Sequence, residues 1–353
     1  MSKNLLIGRK EECNRLERCM NSNQAQLVIV YGRRRVGKTF LINEYFENTF
    51  AFKLTGTFGQ PKSIQLRNFA SELSRKSKKD VKTPKDWFQA FNDLRDYLEN
   101  ISTTQKQVIF FDEMPWLDTH KSGFLPAFEW FWNDWASTCH NLIFIVCGSA
   151  TSWMVENIAN NKGGLFNRQT CKLYLEPFKL YEVEQYLESR NIYWSRYDIA
   201  ECYMIMGGIP YYLSLLNNEL SFNQNIDYLF FKDKSELWDE FNHLYRTLFT
   251  NSDSYIKVVS ALANKKAGLT RKEISQETGL PFNGKLTSII NNLVDSGFIK
   301  LTNLYGNKKK EDVFQLSDYY TLFYFKFIHH HSGKDEYYWS NTIVNPARRA
   351  WAG

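Results

Sequence analysis

No apolar run in this 353-residue chain approaches the roughly 20 residues that a membrane-spanning helix needs. The opening MSKNLLIGRKEE lacks the apolar stretch of a secretory signal. No two of the six cysteines (Cys13, Cys19, Cys139, Cys147, Cys171, Cys202) are spaced as CxxC, which argues against a zinc ribbon or a thioredoxin-type site. Their scattered use fits a reducing compartment, and the expectation is a cytoplasmic protein without a membrane partner. There is no internal repeat and no low-complexity tail. The three adjacent histidines 329–331 cannot all face one metal on a helix, so they read as a solvated helix end.

What is present points to a globular chain of two or three domains. Hydrophobic residues make up 43% and aromatics 16%, enough for a sizeable core. The net charge of +6 permits a nucleic-acid partner without requiring one. The lysine-rich run Ser74–Lys85 reads as a solvated loop.

Strand and helix signals alternate through the first half. Apolar runs at Gln26–Tyr31, Thr49–Thr55, Gln107–Asp112, Leu142–Gly148 and Thr170–Leu175 are separated by helix-length segments. Such runs mark strands buried on both faces, hence a parallel sheet flanked by helices. Phe128, Phe131, Trp132 and Trp135 recur at helical spacing and predict an aromatic stripe packed on that sheet. After Pro177 the strands stop. Helices are expected over Lys179–Asn191 and Tyr197–Met206, the second broken by Gly207-Gly208-Ile209-Pro210. Further on come a helix at Ser254–Ala263, a capped helix Arg271–Thr278 with Thr270 and Glu273 as capping box, and a helix about Asn283–Ser296. Two strands, Phe298–Thr302 and Asp312–Leu316, are joined by a loop holding Lys308-Lys309-Lys310. Helix-turn-helix followed by a β-hairpin is the pattern of a winged helix. The expected divisions are 1–178 (core), 179–250 (helical lid), 251–328 (winged helix) and 329–353, the start of a truncated C-terminal extension.

The strongest chemical signal is Gly32-Arg33-Arg34-Arg35-Val36-Gly37-Lys38-Thr39, a complete GxxxxGK[ST] between an apolar strand and a helix. The glycines let backbone N–H groups turn inward onto phosphate oxygens, and the helix N-terminus adds its positive dipole end. Lys38 is expected on the β- and γ-phosphates of ATP, and the Thr39 hydroxyl on magnesium. Asp112, at the end of the third strand, is expected to hold magnesium through its water shell. Glu113 beside it is expected to orient and deprotonate the attacking water. Ser149, after the fourth strand, falls between loop and Asp112 if that strand is inserted between theirs. It then contacts the γ-phosphate or the water; alternatively Ser149 or Thr151 caps a helix. Arg168 reads either as a finger that stabilises the transferring phosphoryl group or as a structural ion pair.

Several further segments together resemble the archaeal-type ATPases of the signal-transducing (STAND) branch near AAA+ ATPases. They are Ile7-Gly8-Arg9 with Glu11 or Glu12, the phosphate loop, FFDEMPWL at 110–117, CGSATSWM at 147–154, LEPF at 175–178 and GGIPYYL at 207–213. The resemblance implies an α/β P-loop core of strand order 5-1-4-3-2, a helical lid and a C-terminal winged helix. It places Gly8, Arg9 and Pro210 against adenine and ribose, although Pro210 also reads as a helix breaker. Many STAND proteins carry an arginine sensor where this chain has Ser149. Relatives usually continue into a restriction-endonuclease-like domain, whose opening resembles PARRAWAG at 346–353. The implied function is a slow magnesium-dependent ATPase acting as a conformational switch. The alternative is a nucleotide-bound, non-hydrolysing module that works through its winged helix on DNA or protein. A homo-oligomer is compatible with either.

Overall fold

A computed structural model describes residues 6–101, 105–160, 163–165, 167–249, 251–302, 312–329, 331, 333, 335–342 and 346–352. The chain forms two compact units. The first holds the residues up to Arg33 and Gly37–Leu175; the second holds Arg34–Val36 and the chain from Glu176 onward.

The first unit opens with α1 (Lys10–Met20), then β1 (Gln26–Tyr31), α2 (Lys38–Tyr45) and β2 (Phe52–Thr55). There follow α3 (Lys62–Ser77), α4 (Trp87–Glu99), β3 (Gln107–Asp112), α5 (Phe124–Asp134), β4 (Leu142–Gly148), α6 (Thr151–Met154) and β5 (Cys171–Tyr174). All strand pairs are parallel, in the order β2-β3-β4-β1-β5. This is the expected 5-1-4-3-2 sheet read from its other edge. Every residue of β3 and β4 is buried, as continuous apolar runs require of inner parallel strands.

Alternate residues Ile29, Phe52, Leu54, Ile109, Phe111, Phe144 and Val146 join one core with α3, α4 and α5. Its centre is aromatic: Phe91 stacks on Phe131 at 4.9 Å, and Phe144 meets Phe111 at 5.0 Å and Phe128 at 5.2 Å. The stripe on α5 is thus confirmed for Phe128, Phe131 and Trp132, all buried. Trp135 lies just past the helix end, half-buried, with the Arg95 guanidinium 5.8 Å from its ring. The lysine-rich run begins inside a helix, because Ser74–Ser77 form the last turn of α3.

The second unit begins with a helical lid: α7 (Leu180–Ser189), α8 (Arg196–Met206), α9 (Pro210–Ser214), α10 (Phe222–Ile226) and α11 (Glu240–Leu248). Gly207 ends α8 at a φ of 63°, in the left-handed region that favours glycine. Then come α12 (Ser252–Ala263), β6 (Leu269–Thr270), α13 (Arg271–Thr278), α14 (Gly284–Asp295), β7 (Ile299–Thr302) and β8 (Val313–Leu316). The three short strands make an antiparallel sheet in the order β6-β8-β7. Thr270 and Glu273 form the expected capping box on α13, and Asn283 caps α14 through the amides of Lys285 and Leu286. The residues between β7 and β8, with Lys308, Lys309 and Lys310, lie outside the described ones.

The chain continues through α15 (Tyr319–Phe323), a π-helical turn to Ile328, α16 (Tyr338–Asn341) and α17 (Pro346–Ala352). His331 does not lie at a solvated helix end. Its ring packs against Phe231, Trp238 and Tyr338. The closing segment is held by buried charge. Arg348 grips Glu201 with two nitrogens, at 2.8 and 3.1 Å, donates to the Trp339 carbonyl at 2.7 Å, and lies 4.2 Å over the Trp339 ring.

Candidate nucleotide site

Parallel strands place all their C-terminal ends at one edge, and in open α/β sheets ligands bind there. At that edge β1 runs into Gly32, β3 ends at Asp112, and β4 ends at Gly148 between them. Tyr31 pairs with Gly148 across the sheet, so the loop after β1 starts beside Ser149. Two glycines permit the crowding here. A Cβ on Gly32, whose φ is 139°, would lie 2.4 Å from the Leu175 carbonyl oxygen. One on Gly148 would lie 2.7 Å from Pro115 and 2.8 Å from the Met154 sulfur.

The loop after β1 is curled onto its own lysine. Lys38 is buried, and its ammonium donates to the carbonyls of Gly32 at 2.9 Å and Arg33 at 2.8 Å. Gly37 adopts a φ of 88° as the N-cap of α2, which leaves the first amides of that helix without a capping side chain. Arg33 and Val36 are buried; Arg34 is half-buried. Arg35, in the left-handed region at a φ of 70°, belongs with Arg34 and Val36 to the second unit. There its guanidinium pairs with the buried Glu240 carboxylate and lies 4.3 Å over the Tyr211 ring. The Tyr212 hydroxyl also donates to Glu240, at 2.8 Å. Burial pushes the Glu240 carboxyl above the ordinary range, and the charge of Arg35 and the Tyr212 bond pull the other way. Sequence reading missed Glu240, because nothing in its local pattern marks it.

The acids at the end of β3 stand in one bonded group with loop and β4 residues. The Thr39 hydroxyl donates to Asp112 Oδ2 at 2.8 Å. Asp112 is buried, and its Oδ1 accepts the Glu113 amide at 3.0 Å. Glu113 sits at a φ of 46°, a left-handed conformation rare for a residue with a side chain. Ser149 donates its hydroxyl to both Glu113 oxygens, at 2.9 and 2.8 Å, and its amide to Oε2 at 3.2 Å. Ser149 does not cap the following helix: Ala150 holds the N-cap of α6 and no side-chain bond is made there.

The remaining candidates are placed as follows. Gly8 has a φ of 73° and Arg9 one of 37°; Arg9 is buried at the N-cap of α1, with Glu12 at 3.4 Å. Pro210 is the first residue of α9, where its missing N–H costs no helical bond. Arg168 is exposed on a turn, its amide bonding the Leu165 carbonyl at 3.1 Å, and it is not part of the bonded group around Glu113. Among the described residues no group of three or more His, Cys, Asp or Glu side chains is placed to hold a metal. No helix among them is long and apolar enough to cross a membrane.

A parallel sheet in this order, with a GxxxxGK[ST] loop after β1 and an Asp-Glu pair after β3, defines a P-loop nucleoside-triphosphatase related to the AAA+ and STAND ATPases. Residues 6–216 match the family described as an ATPase domain predominantly from Archaea, and the chain belongs to that family. It is 26% identical over 326 residues to the uncharacterized protein MJECL04 of Methanocaldococcus jannaschii, covering 92% of this chain and 69% of that one. Over 44 residues it is 57% identical to the uncharacterized ATP-binding protein MJ0423 of the same organism, 12% of this chain and 75% of that one. The Walker-type ATPase paby2304 of Pyrococcus abyssi shares the fold, with a TM-score of 0.63 at 16% identity over 91% of this chain and 96% of that one. So does the ORC2 protein of Aeropyrum pernix, solved as ADPNP-ADP complexes, with a TM-score of 0.55 at 12% identity over 99% and 96%.

Proposed function

We propose that this chain is a magnesium-dependent ATPase that hydrolyses ATP slowly and works as a nucleotide-gated conformational switch. The observation that carries the reading is the bonded group Thr39–Asp112–Glu113–Ser149 beside the curled loop around Lys38.

In this reading the loop residues Gly32 to Thr39 cradle the phosphates, and Lys38 turns from the loop carbonyls to the β- and γ-phosphates. The donor set suits magnesium. Thr39 and Asp112 offer two oxygens side by side, and Mg²⁺ is usually held by one or two carboxylates plus phosphates and water rather than by an all-protein cage. When bound there, the ion neutralises charge on the phosphate oxygens. Glu113 takes the proton of the attacking water, and Ser149 sets the direction of the Glu113 carboxylate. Arg168 keeps its reading as a finger for charge developing on the transferring phosphoryl group, and the family resemblance assigns Gly8, Arg9 and Pro210 to adenine and ribose.

The test is Glu113→Gln with labelled ATP: binding retained and turnover lost. A variant that turns over ATP as fast as the parent overturns the assignment of the base.

The second unit supports a further assignment. We read α13, α14 and the β6-β8-β7 sheet as a winged helix that contacts DNA or a protein partner. The exposed Lys285, Ser288 and Asn291 on α14 support that reading. Phosphate contact would give a log K falling with log salt by about 0.9 per phosphate neutralised; a flat salt response removes DNA from the reading.

A further inference from the structure

Arg35 stands at the tip of the loop after β1, and with Arg34 and Val36 it belongs to the second unit. Its backbone is left-handed, at a φ of 70°. Glycine holds that conformation at no steric cost, but the chain has an arginine here. A residue with a side chain stays there only where its neighbours over-determine it.

The tip is fixed from several sides. The Arg35 carbonyl accepts the Tyr211 amide at 3.4 Å. The guanidinium lies 4.3 Å over the Tyr211 ring and 5.8 Å from the centre of the Tyr212 ring, both on α9. It also pairs with Glu240, the first residue of α11, which is only 3% exposed. The Tyr212 hydroxyl donates to the same carboxylate at 2.8 Å. A buried carboxylate that loses its cation is left uncompensated, so Glu240 holds Arg35 as firmly as Arg35 holds Glu240.

We propose that Glu240 is a positioning residue for the phosphate loop: acting through Arg35, it keeps the loop tip in its binding shape before nucleotide arrives, and bound nucleotide in return tightens α11. The proposal rests on the assignment of residues 32–39 to the phosphates. Its physics is preorganisation. A tip released from Glu240 relaxes into ordinary backbone conformations, and affinity falls by the fraction of molecules that keep the binding shape. A left-handed residue costs enough that this fraction should be about one in ten or less. Linkage makes the effect reciprocal, so the loop and α11 each report the state of the other.

The test measures ATP and ADP binding by calorimetry in the parent, Glu240→Gln, Arg35→Gln and the double variant. Each single variant should bind both nucleotides about tenfold or more weakly. The double variant should bind no more weakly than Arg35→Gln alone, because Glu240 acts through Arg35. Arg348→Ala breaks another buried pair of the same unit and should leave nucleotide affinity at the parental value. Parental affinity in Glu240→Gln, additive losses in the double variant, or equal weakening in Arg348→Ala overturns the proposal. A parent that binds no nucleotide removes the phosphate-loop assignment itself, and the proposal with it. Should the Glu240 variant misfold, hydrogen exchange of the parent protein decides. ATP with magnesium should slow exchange of the α11 amides more than that of the α14 amides. No such difference, in protein that binds ATP, overturns the proposal equally.

Discussion

The Ser149 hydroxyl donates to both carboxylate oxygens of Glu113, at 2.9 and 2.8 Å, with the Ser149 amide adding a third bond at 3.2 Å. The two residues come from the ends of adjacent strands, β4 and β3. This relation turns Ser149 from a residue of open role into one that sets where the neighbouring carboxylate points.

Ser149→Ala removes a hydrogen bond to a charged group, worth about 1.5–3 kcal/mol. If Ser149 positions the base, turnover at saturating ATP should fall about tenfold or more, with KM little changed. Ser149→Thr keeps the hydroxyl and should restore most of the rate. Steady-state kinetics of both variants check this, and an unaltered Ser149→Ala enzyme refutes it.

Glu113→Gln should lower turnover by about 10²–10⁴ while ATP stays bound. Filter-binding and single-turnover assays on one preparation separate the two effects.

Lys38→Ala deletes the cation around which the loop closes, together with its bonds to the carbonyls of Gly32 and Arg33. If Lys38 meets the phosphates as proposed, nucleotide affinity should drop by at least about 100-fold, since a buried charge-assisted contact would be lost. Calorimetric titration with ATP and magnesium measures it; parental affinity would exclude residues 32–39 as the phosphate loop.

Arg35→Ala leaves the buried Glu240 carboxylate without its cation, and should destabilise the protein by about 3 kcal/mol at neutral pH. Burial already raises Glu240, so the folded protein holds its proton more tightly than the unfolded chain does. The stability this contributes is full below the ordinary carboxylate range and is lost as pH rises through the folded value. The gap between variant and parent should therefore narrow as pH falls towards 5. Urea titrations at the two pH values test the sign.

Arg348→Ala should lower stability by about 3–5 kcal/mol, because Glu201 would stay buried without a partner. Arg348→Lys should recover little, since an ammonium cannot reproduce the two-pronged grip. Thermal unfolding of both variants reads the difference.

The legibility of the fold varied with position in the sheet. The expected bounds of β1, β3 and β4 coincide with the observed Gln26–Tyr31, Gln107–Asp112 and Leu142–Gly148. These strands are paired on both sides, so apolar run and hydrogen-bonded ladder end together. β2 and β5 are shorter than their apolar runs, at Phe52–Thr55 and Cys171–Tyr174. Both are outer strands with one partner each, and pairing stops before hydrophobicity does. Helix caps were readable where they are local, as at Thr270 with Glu273. Ser149 was not: it read as a γ-phosphate or water contact or as a helix cap, and its bonds to Glu113 join the ends of two strands far apart in the chain.

The amino-acid sequence by itself determined the phosphate loop, the acids Asp112 and Glu113, and the parallel sheet that carries them. Each is encoded by neighbouring residues: the loop by glycines between an apolar strand and a helix, the acids by their place at the end of an apolar run, and the sheet by the continuous apolar runs themselves. Tertiary structure alone decided that Ser149 would hold Glu113, that Arg35 would lie against Glu240, and that Arg348 would grip Glu201. Those pairs arise from strand order and from packing between distant segments, and no spacing along the chain records either.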